Sequence, residues 1–270
     1  MSSCDGASVF TDVAAADALY RGSRRLEQRV TALLGAKVRG RNPIDVTIER
    51  IAGAHAGARV VVDVGCGLGG ATRKLVAGLR PSTLIAFDRS AAMLEATRRR
   101  VPGVWTVQGD FHDLPFERGA IDVVVAAFCL YHSPTPSEVC RGIARCLTAS
   151  GTAALITKSR DSYREIDQLL AAAGLDPDAP ARPSLYGAFS VENAPEIVSR
   201  SLQVDAVVCE RHEFRFAAPE ELVAYARTSP KYPAMTGDDE QIHGALAKVW
   251  PVDGVTASSE VAVIFSRRPS

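Results

Sequence analysis

The feature that most constrains this chain is the apolar, β-branched run Arg59 to Val64, which empties into the glycine-rich turn Gly65-Cys66-Gly67-Leu68-Gly69-Gly70. A strand that is apolar at successive positions has no face to give to water, so it predicts a parallel sheet covered on both sides. The same alternation recurs. A helix through Leu79 is stopped by Pro81-Ser82, and the strand Leu84 to Phe87 ends in Asp88. Ser90 can cap a helix over Ala91 to Arg100, which Pro102-Gly103 ends. The strand Val104 to Val107 runs to Gly109-Asp110, and Ile121 to Ala126 forms a fourth. A helix from Ser137 to Leu147, a strand Thr152 to Thr157 and a helix Asp161 to Ala173 continue the pattern.

After Leu175 the grammar changes. Pro177, Pro180 and Pro183 mark an ordered loop to Ser190, Val191 to Ser201 reads as helical, and Leu202 to Phe216 alternates like a long strand. Pro219-Glu220-Glu221 opens another helix, and Glu260 to Phe265 is a final strand. The predicted organisation is an N-terminal helical cap (1–58), a core (59–217), a cap insertion (218–257) and the last strand of the core (258–270).

The charge balance, 31 Lys+Arg against 31 Asp+Glu, lacks the long-range positive field of a nucleic-acid binder. No apolar run approaches the ~20 residues of a membrane span; the longest, Val123 to Tyr131, is strand-sized. Asp5, Asp12 and Asp17 stand where a signal peptide would be basic. The six cysteines (Cys4, Cys66, Cys129, Cys140, Cys146, Cys209) form no CxxC pair, which predicts reduced, mostly buried thiols in a cytoplasmic protein. Neither they nor the five histidines cluster, so no metal site is expected. The balance hides one asymmetry. Between Tyr20 and Arg41 stand Arg21, Arg24, Arg25, Arg29, Lys37, Arg39 and Arg41 against a single acid, Glu27. Such a run is a solvated helix face, or a positive cap that attracts an anionic substrate group.

Gly65-x-Gly67-x-x-Gly70 between a strand and a helix suits a dinucleotide. Asp63, two residues before it, argues otherwise. A fixed carboxylate there would face a pyrophosphate with like charge in a partly desolvated site. S-adenosyl-L-methionine has no phosphate, and its ammonium and sulfonium want oxygen partners. Asp88 is placed for a ribose diol, and Asp110 with the Phe111 amide for an adenine edge. Three acids at successive strand ends converge where open α/β sheets bind ligands.

Val60 to Gly70, Leu84-Ile-Ala-Phe-Asp88-Arg89-Ser90-Ala-Ala-Met93-Leu, Gly109-Asp110-Phe111-His112-Asp113-Leu-Pro115-Phe116 and Ile121 to His132 resemble, in order, the first four motifs of class I S-adenosylmethionine-dependent methyltransferases. The Leu147 to Thr157 stretch completes the similarity, which covers about residues 55–160. The small-molecule members, including ubiquinone/menaquinone-type and antibiotic-tailoring enzymes of secondary metabolism, look most alike. The resemblance implies an α/β fold with a Rossmann-like seven-stranded sheet, helices on both faces and an antiparallel last strand, to which the helical cap is added. It implies Asp88 on the ribose hydroxyls, Met93 against adenine, and backbone of Gly65 and Ala126 toward the methionyl part. Gly67, Arg89 and Gly109 belong to the same candidate cofactor surface. Many members carry a polar residue where Ala126-Ala127 stand. The Asn/Asp-Pro-Pro-aromatic motif of adenine amino methyltransferases is absent there.

Methyl transfer is an in-line displacement, for which the protein supplies mainly orientation and water exclusion. A base is needed only for a protonated nucleophile. His132, just past the fourth strand, is the candidate base, and Tyr131 the candidate wall of the methyl pocket. His112 reads as structural or cofactor-adjacent. Arg21 is a candidate for the methionyl carboxylate or an acidic acceptor. Tyr186, Phe189 and Tyr232 are candidates for the acceptor pocket or for cap packing. His212 and Glu213, alternating with Arg211 and Arg215, read as a solvated face. The expected function is methylation of a small, anionic or polar acceptor at O, N or C. Its rivals are an NAD(P)-dependent oxidoreductase, an RNA methyltransferase and a methyltransferase-like binding subunit.

Overall fold

A computed structural model gives the arrangement of residues 11–55 and 57–269. Cys4 and Asp5 lie outside the described residues. The chain enters through α1 (Val13–Leu19), α2 (Arg24–Ala36), β1 (Lys37–Arg39) and α3 (Pro43–His55). The alternating core follows as β2 (Val60–Val64), α4 (Gly70–Leu79), β3 (Thr83–Asp88), α5 (Ala91–Arg100), β4 (Trp105–Gln108) and β5 (Ile121–Ala127). Then come α6 (Pro136–Cys146), β6 (Leu147–Lys158), α7 (Arg164–Ala172), α8 (Ala194–Ser199) and β7 (Gln203–Phe216). The chain closes through α9 (Pro219–Ala226), α10 (Asp239–Ala247) and β8 (Val255–Arg267).

The strands form an eight-stranded sheet in the order β1-β7-β8-β6-β5-β2-β3-β4. From β6 through β4 neighbours are parallel, and β8 lies antiparallel between β6 and β7. The α/β class and the antiparallel last strand are as the sequence predicts. The count is eight rather than seven because Lys37–Arg39 adds an antiparallel edge beside Phe214 and Glu213. Two basic residues about a single valine at an edge are too few to carry strand periodicity. β8 is also longer than Glu260 to Phe265, since it pairs with β7 from Val255 to Arg267.

Burial explains the continuous apolar strands. Val61, Val123 and Val125 pack with Ile44 and Ile51 of α3 and Leu75 and Leu79 of α4 on one face. Val62, Val64 and Val124 pack with Val139, Cys140 and Ile143 of α6 and Val198 of α8 on the other. Each such side chain removed from water contributes about 1.5–3 kcal/mol against the entropy of ordering the chain. Thus α3, within the N-terminal segment read as cap, covers the sheet. A separate apolar cluster joins Ile166 of α7, Leu222 and Tyr225 of α9, Ile242 and Leu246 of α10, and Phe214 and Phe216 at the end of β7. Ser90 caps α5 by accepting from the Met93 amide at 3.3 Å, as its sequence position predicts.

One expectation is overturned. His212 is buried, not part of a solvated face, while Arg211 and Arg215 on either side of its turn in the strand stay exposed. Gly40, at φ +96°, makes this possible, since a Cβ there would stand 2.3 Å from the His212 ring. Burial and the nearby lysines push the imidazole pKa down to about 4, so the ring stays neutral. Of the thiols, Cys66, Cys129, Cys140 and Cys146 are buried and Cys209 is exposed. No helix among the described residues is long and apolar enough to cross a membrane.

Candidate active site

The sheet order reverses at β2: β3 and β4 extend it on one side, β5 and β6 on the other. Ligands bind open α/β sheets in the crevice at that switch, beyond the carboxyl ends of the strands. The loops after β2 and β5 meet there. Gly65 has φ +68°, and a Cβ on it would lie 2.6 Å from the Cys129 Cβ. The Gly65 amide donates to the Phe87 carbonyl at 2.8 Å, and the Cys129 thiol to the Val64 carbonyl at 3.2 Å. Only glycine satisfies both the dihedral and the contact.

The three acids of the sequence pattern take different environments. Asp63 is buried; Oδ2 accepts from the Thr72 hydroxyl at 2.6 Å, and Oδ1 has no partner among the described residues. Burial, aided by the charge of Asp88, raises its pKa to about 7. A buried carboxylate oxygen lacking a donor, behind a loop of backbone amides, suits an ammonium and opposes a diphosphate. Asp88 holds the loop itself. It accepts from the Gly67 amide and the Ser90 amide, both at 2.9 Å, and burial raises its pKa. Its remaining lone pairs are available to a diol. Asp110 accepts from the His112 amide at 2.9 Å and from His112 Nδ1 at 2.6 Å. The other imidazole nitrogen meets the Ser133 hydroxyl at 2.7 Å, and Ser133 is fully buried. This chain of contacts joins the loop after β4 to that after β5. His112 is therefore a brace.

The other sequence-derived cofactor residues spread around this crevice. A Cβ at Gly109 would meet the Phe87 ring at 2.9 Å, so the loop after β4 lies close against β3. The Phe111 ring lies 4.9 Å from that of His112. Ala126 is buried in the β5 ladder between Val64 and Leu155. Arg89 pairs with Asp17 at 3.1 Å and faces Asp110 at 3.6 Å. Met93 is 1% exposed, in a cluster with Leu68 and Ala96 that Tyr20 and Leu26 cover. The cap thus packs on the cluster that holds Met93. The Ser90 hydroxyl donates to the Tyr20 carbonyl at 2.7 Å, which fastens the cap to the end of β3.

On the opposite side, His132 ends the helical turn Leu130–His132, and its Nε2 lies 3.1 Å from the Tyr20 hydroxyl. Tyr131 packs edge-on against Tyr186 with ring centroids 5.0 Å apart. Burial holds the Tyr131 phenol well above its ordinary pKa, so it stays protonated. Tyr186 thus packs beside Tyr131, whereas Phe189 is in the sheet core and Tyr232 donates to buried Asp167 at 2.8 Å.

Two cations there escaped sequence reasoning as individuals. Arg21 is exposed, as are Arg24, Arg25, Arg39 and Arg41. Arg29 turns inward instead, toward Tyr20, Tyr131, Tyr186 and Tyr225. The signal was present: Leu26, Arg29, Leu33 and Ala36 follow helical spacing, so Arg29 occupies an apolar stripe. Lys158, at the end of β6, donates to the Tyr163 hydroxyl at 2.7 Å and lies 5.3 Å from the Phe128 ring centroid.

A mostly parallel sheet with a glycine loop at its switch point and acids at three strand ends defines a Rossmann-like nucleoside-binding domain. A family model described as a methyltransferase domain matches residues 62–155. Trans-aconitate 2-methyltransferase of Acidovorax sp. is 35% identical over 102 residues, which cover 38% of this chain and 39% of that protein. Malonyl-[acyl-carrier protein] O-methyltransferase of Legionella pneumophila is 28% identical over 128 residues, 46% of this chain and 45% of that one. The chain thus spans under half the length of these curated relatives. A solved structure from Bacillus halodurans, classed with the methyltransferases, superposes with TM-score 0.59 at 17% identity, covering 83% of this chain and 98% of that one. Residues 62–155 thus resemble a methyltransferase domain, and the fold around them is that of the solved structure. Arg29 and Lys158 both lie outside the matched residues.

Proposed function

We propose that this protein transfers the methyl group of S-adenosyl-L-methionine to a small-molecule acceptor. The observation that carries the proposal is Asp63, a buried carboxylate with an unpartnered oxygen behind the glycine loop. That oxygen asks for a cation, and the cofactor's methionyl ammonium supplies one. Asp88 would take the ribose hydroxyls while keeping the Gly67 amide in place, and the loop Gly109 to Phe111 would flank the adenine. When bound, the cofactor supplies a methyl carbon already activated by its sulfonium.

The residues of this chain supply position. Tyr131, Tyr186 and Phe128 wall the acceptor side with aromatic faces, which exclude water from a reaction that disperses charge. His132 stands beside the same wall, where a neutral imidazole could take a proton from a hydroxyl or amine acceptor. Its hydrogen bond to Tyr20 fixes the ring's direction. The relatives named above act on trans-aconitate and on a malonyl group, both carboxylates, which favours an anionic acceptor.

Calorimetry with S-adenosylhomocysteine against NADH tests the reading. Binding of S-adenosylhomocysteine alone is expected. Preferential binding of NADH would return the protein to the oxidoreductases, and a steep loss of acceptor binding with salt would point to RNA.

A further inference from the structure

We infer that Arg29 and Lys158 form an anion subsite that anchors a carboxylate of the methyl acceptor, an inference that rests on the methyltransferase reading above. Four features lead there. First, two cations share one aromatic chamber: Arg29 faces Tyr20, Tyr131, Tyr186 and Tyr225, and Lys158 faces Tyr186, Tyr163 and Phe128. Second, among the described residues neither has a carboxylate within ion-pair distance. Elsewhere, Lys231 pairs with Asp167 at 2.5 Å and Arg182 with Asp176 at 2.8 Å. Two inward cations without an acid repel each other and lose hydration, an arrangement that an incoming anion relieves.

Third, the chamber is held in shape. Phe128 and Tyr163, whose rings flank the Lys158 ammonium, both have left-handed backbone (φ 57° and 66°). Bulky residues rarely adopt that region, and it persists where the surroundings over-determine it, often at ligand sites. Fourth, the aromatic cluster adjoins the candidate base, because the Tyr20 beside Arg29 also bonds His132 at 3.1 Å. A carboxylate suits it better than a phosphate. The planar guanidinium matches two carboxylate oxygens, the ammonium adds a point charge, and the remaining walls are flat rings.

The test uses the full chain loaded with S-adenosylhomocysteine, with trans-aconitate and malonate as probes and their full methyl esters and inorganic phosphate as controls. Calorimetry is expected to show at least one dicarboxylate binding about tenfold or more tighter than its ester, the scale of a charge-assisted contact. Arg29→Met or Lys158→Met should erase that margin without changing S-adenosylhomocysteine affinity. Lys158→Arg, which keeps the charge, should retain part of it and so separates lost charge from lost folding. The subsite is overturned if acid and ester bind alike, if neither dicarboxylate binds, if phosphate binds as tightly, or if the margin survives both methionine variants. Failure of the wild type to bind S-adenosylhomocysteine would instead overturn the methyltransferase reading.

Discussion

The two sides of the crevice are built by different means. The cofactor side is local and acidic: Asp63, Asp88 and Asp110 each sit within two residues of a strand end, and Asp88 and Asp110 are answered by amides of adjacent loops, Asp63 by the Thr72 hydroxyl. The proposed acceptor side is distant and cationic, assembled from α2, the turn after β5, the end of β6, the loop before α8 and α9. One side is a motif and the other a meeting place. The matched methyltransferase stretch, residues 62–155, takes in the first side and leaves Arg29 and Lys158 of the second outside it. A shared cofactor can be held by a shared motif, whereas the acceptor chamber is free to differ.

If the sides are separable, variants should split by which ligand they affect. Asp88→Ala removes the acceptor of two loop amides and the candidate ribose partner. It should weaken S-adenosylhomocysteine by about 10²-fold, since hydrogen bonds to charged groups contribute ~1.5–3 kcal/mol each. Calorimetry checks this, and retained affinity would break the cofactor assignment. His132→Ala should lower kcat by about 10²-fold at unchanged cofactor affinity, as steady-state kinetics beside calorimetry would show. Unchanged turnover removes the base role and leaves His132 a wall.

Asp63 gives a pH signature to the cofactor side alone. Its folded pKa, about 7, exceeds the ordinary 3.8. Between those values the folded state holds the extra proton, so this group makes the ligand-free protein less stable as pH rises from about 4 to 7. Asp63→Asn should flatten that limb in thermal melts and raise stability at pH 8 by on the order of 1 kcal/mol. A cation docking on the carboxylate pulls the pKa down again. Cofactor binding near pH 7 should therefore release a proton, seen as a buffer-dependent heat that Asp63→Asn abolishes. The smallest effect belongs to Tyr20→Phe. Removing its 3.1 Å contact to His132 should lower kcat several-fold, as expected for one neutral hydrogen bond of ~0.5–1.5 kcal/mol, with little change in either affinity. A large change in cofactor affinity there would show that the cap couples the two sides.

Legibility in the sequence followed the same division. Val60 to Gly70 announces strand, turn and helix because each choice is decided within a few residues. The helices Gly70–Leu79 and Ala91–Arg100 end where Pro81 and Pro102-Gly103 say they must. Lys37–Arg39 was missed as a strand because its hydrogen bonds come wholly from Phe214 and Glu213, far along the chain. His212 differs for a related reason: the flanking Arg211 and Arg215 read as a solvated face, and the close approach of Gly40 from a remote turn buries the ring. His112 and Asp110 were visible as neighbours, but the third member of their brace, Ser133, was not.

By itself, then, the sequence determined the parallel sheet, the glycine turn and the three acids at strand ends, because backbone dihedrals, burial period and capping are short-range properties. The tertiary structure alone decided which of seven basic residues between Tyr20 and Arg41 turns inward to meet Lys158. A helix specifies which side chains share a face, but what that face meets depends on the packing of α2 against α9 and the sheet end. Charge is written in the sequence; whether it has a partner is settled only by the fold.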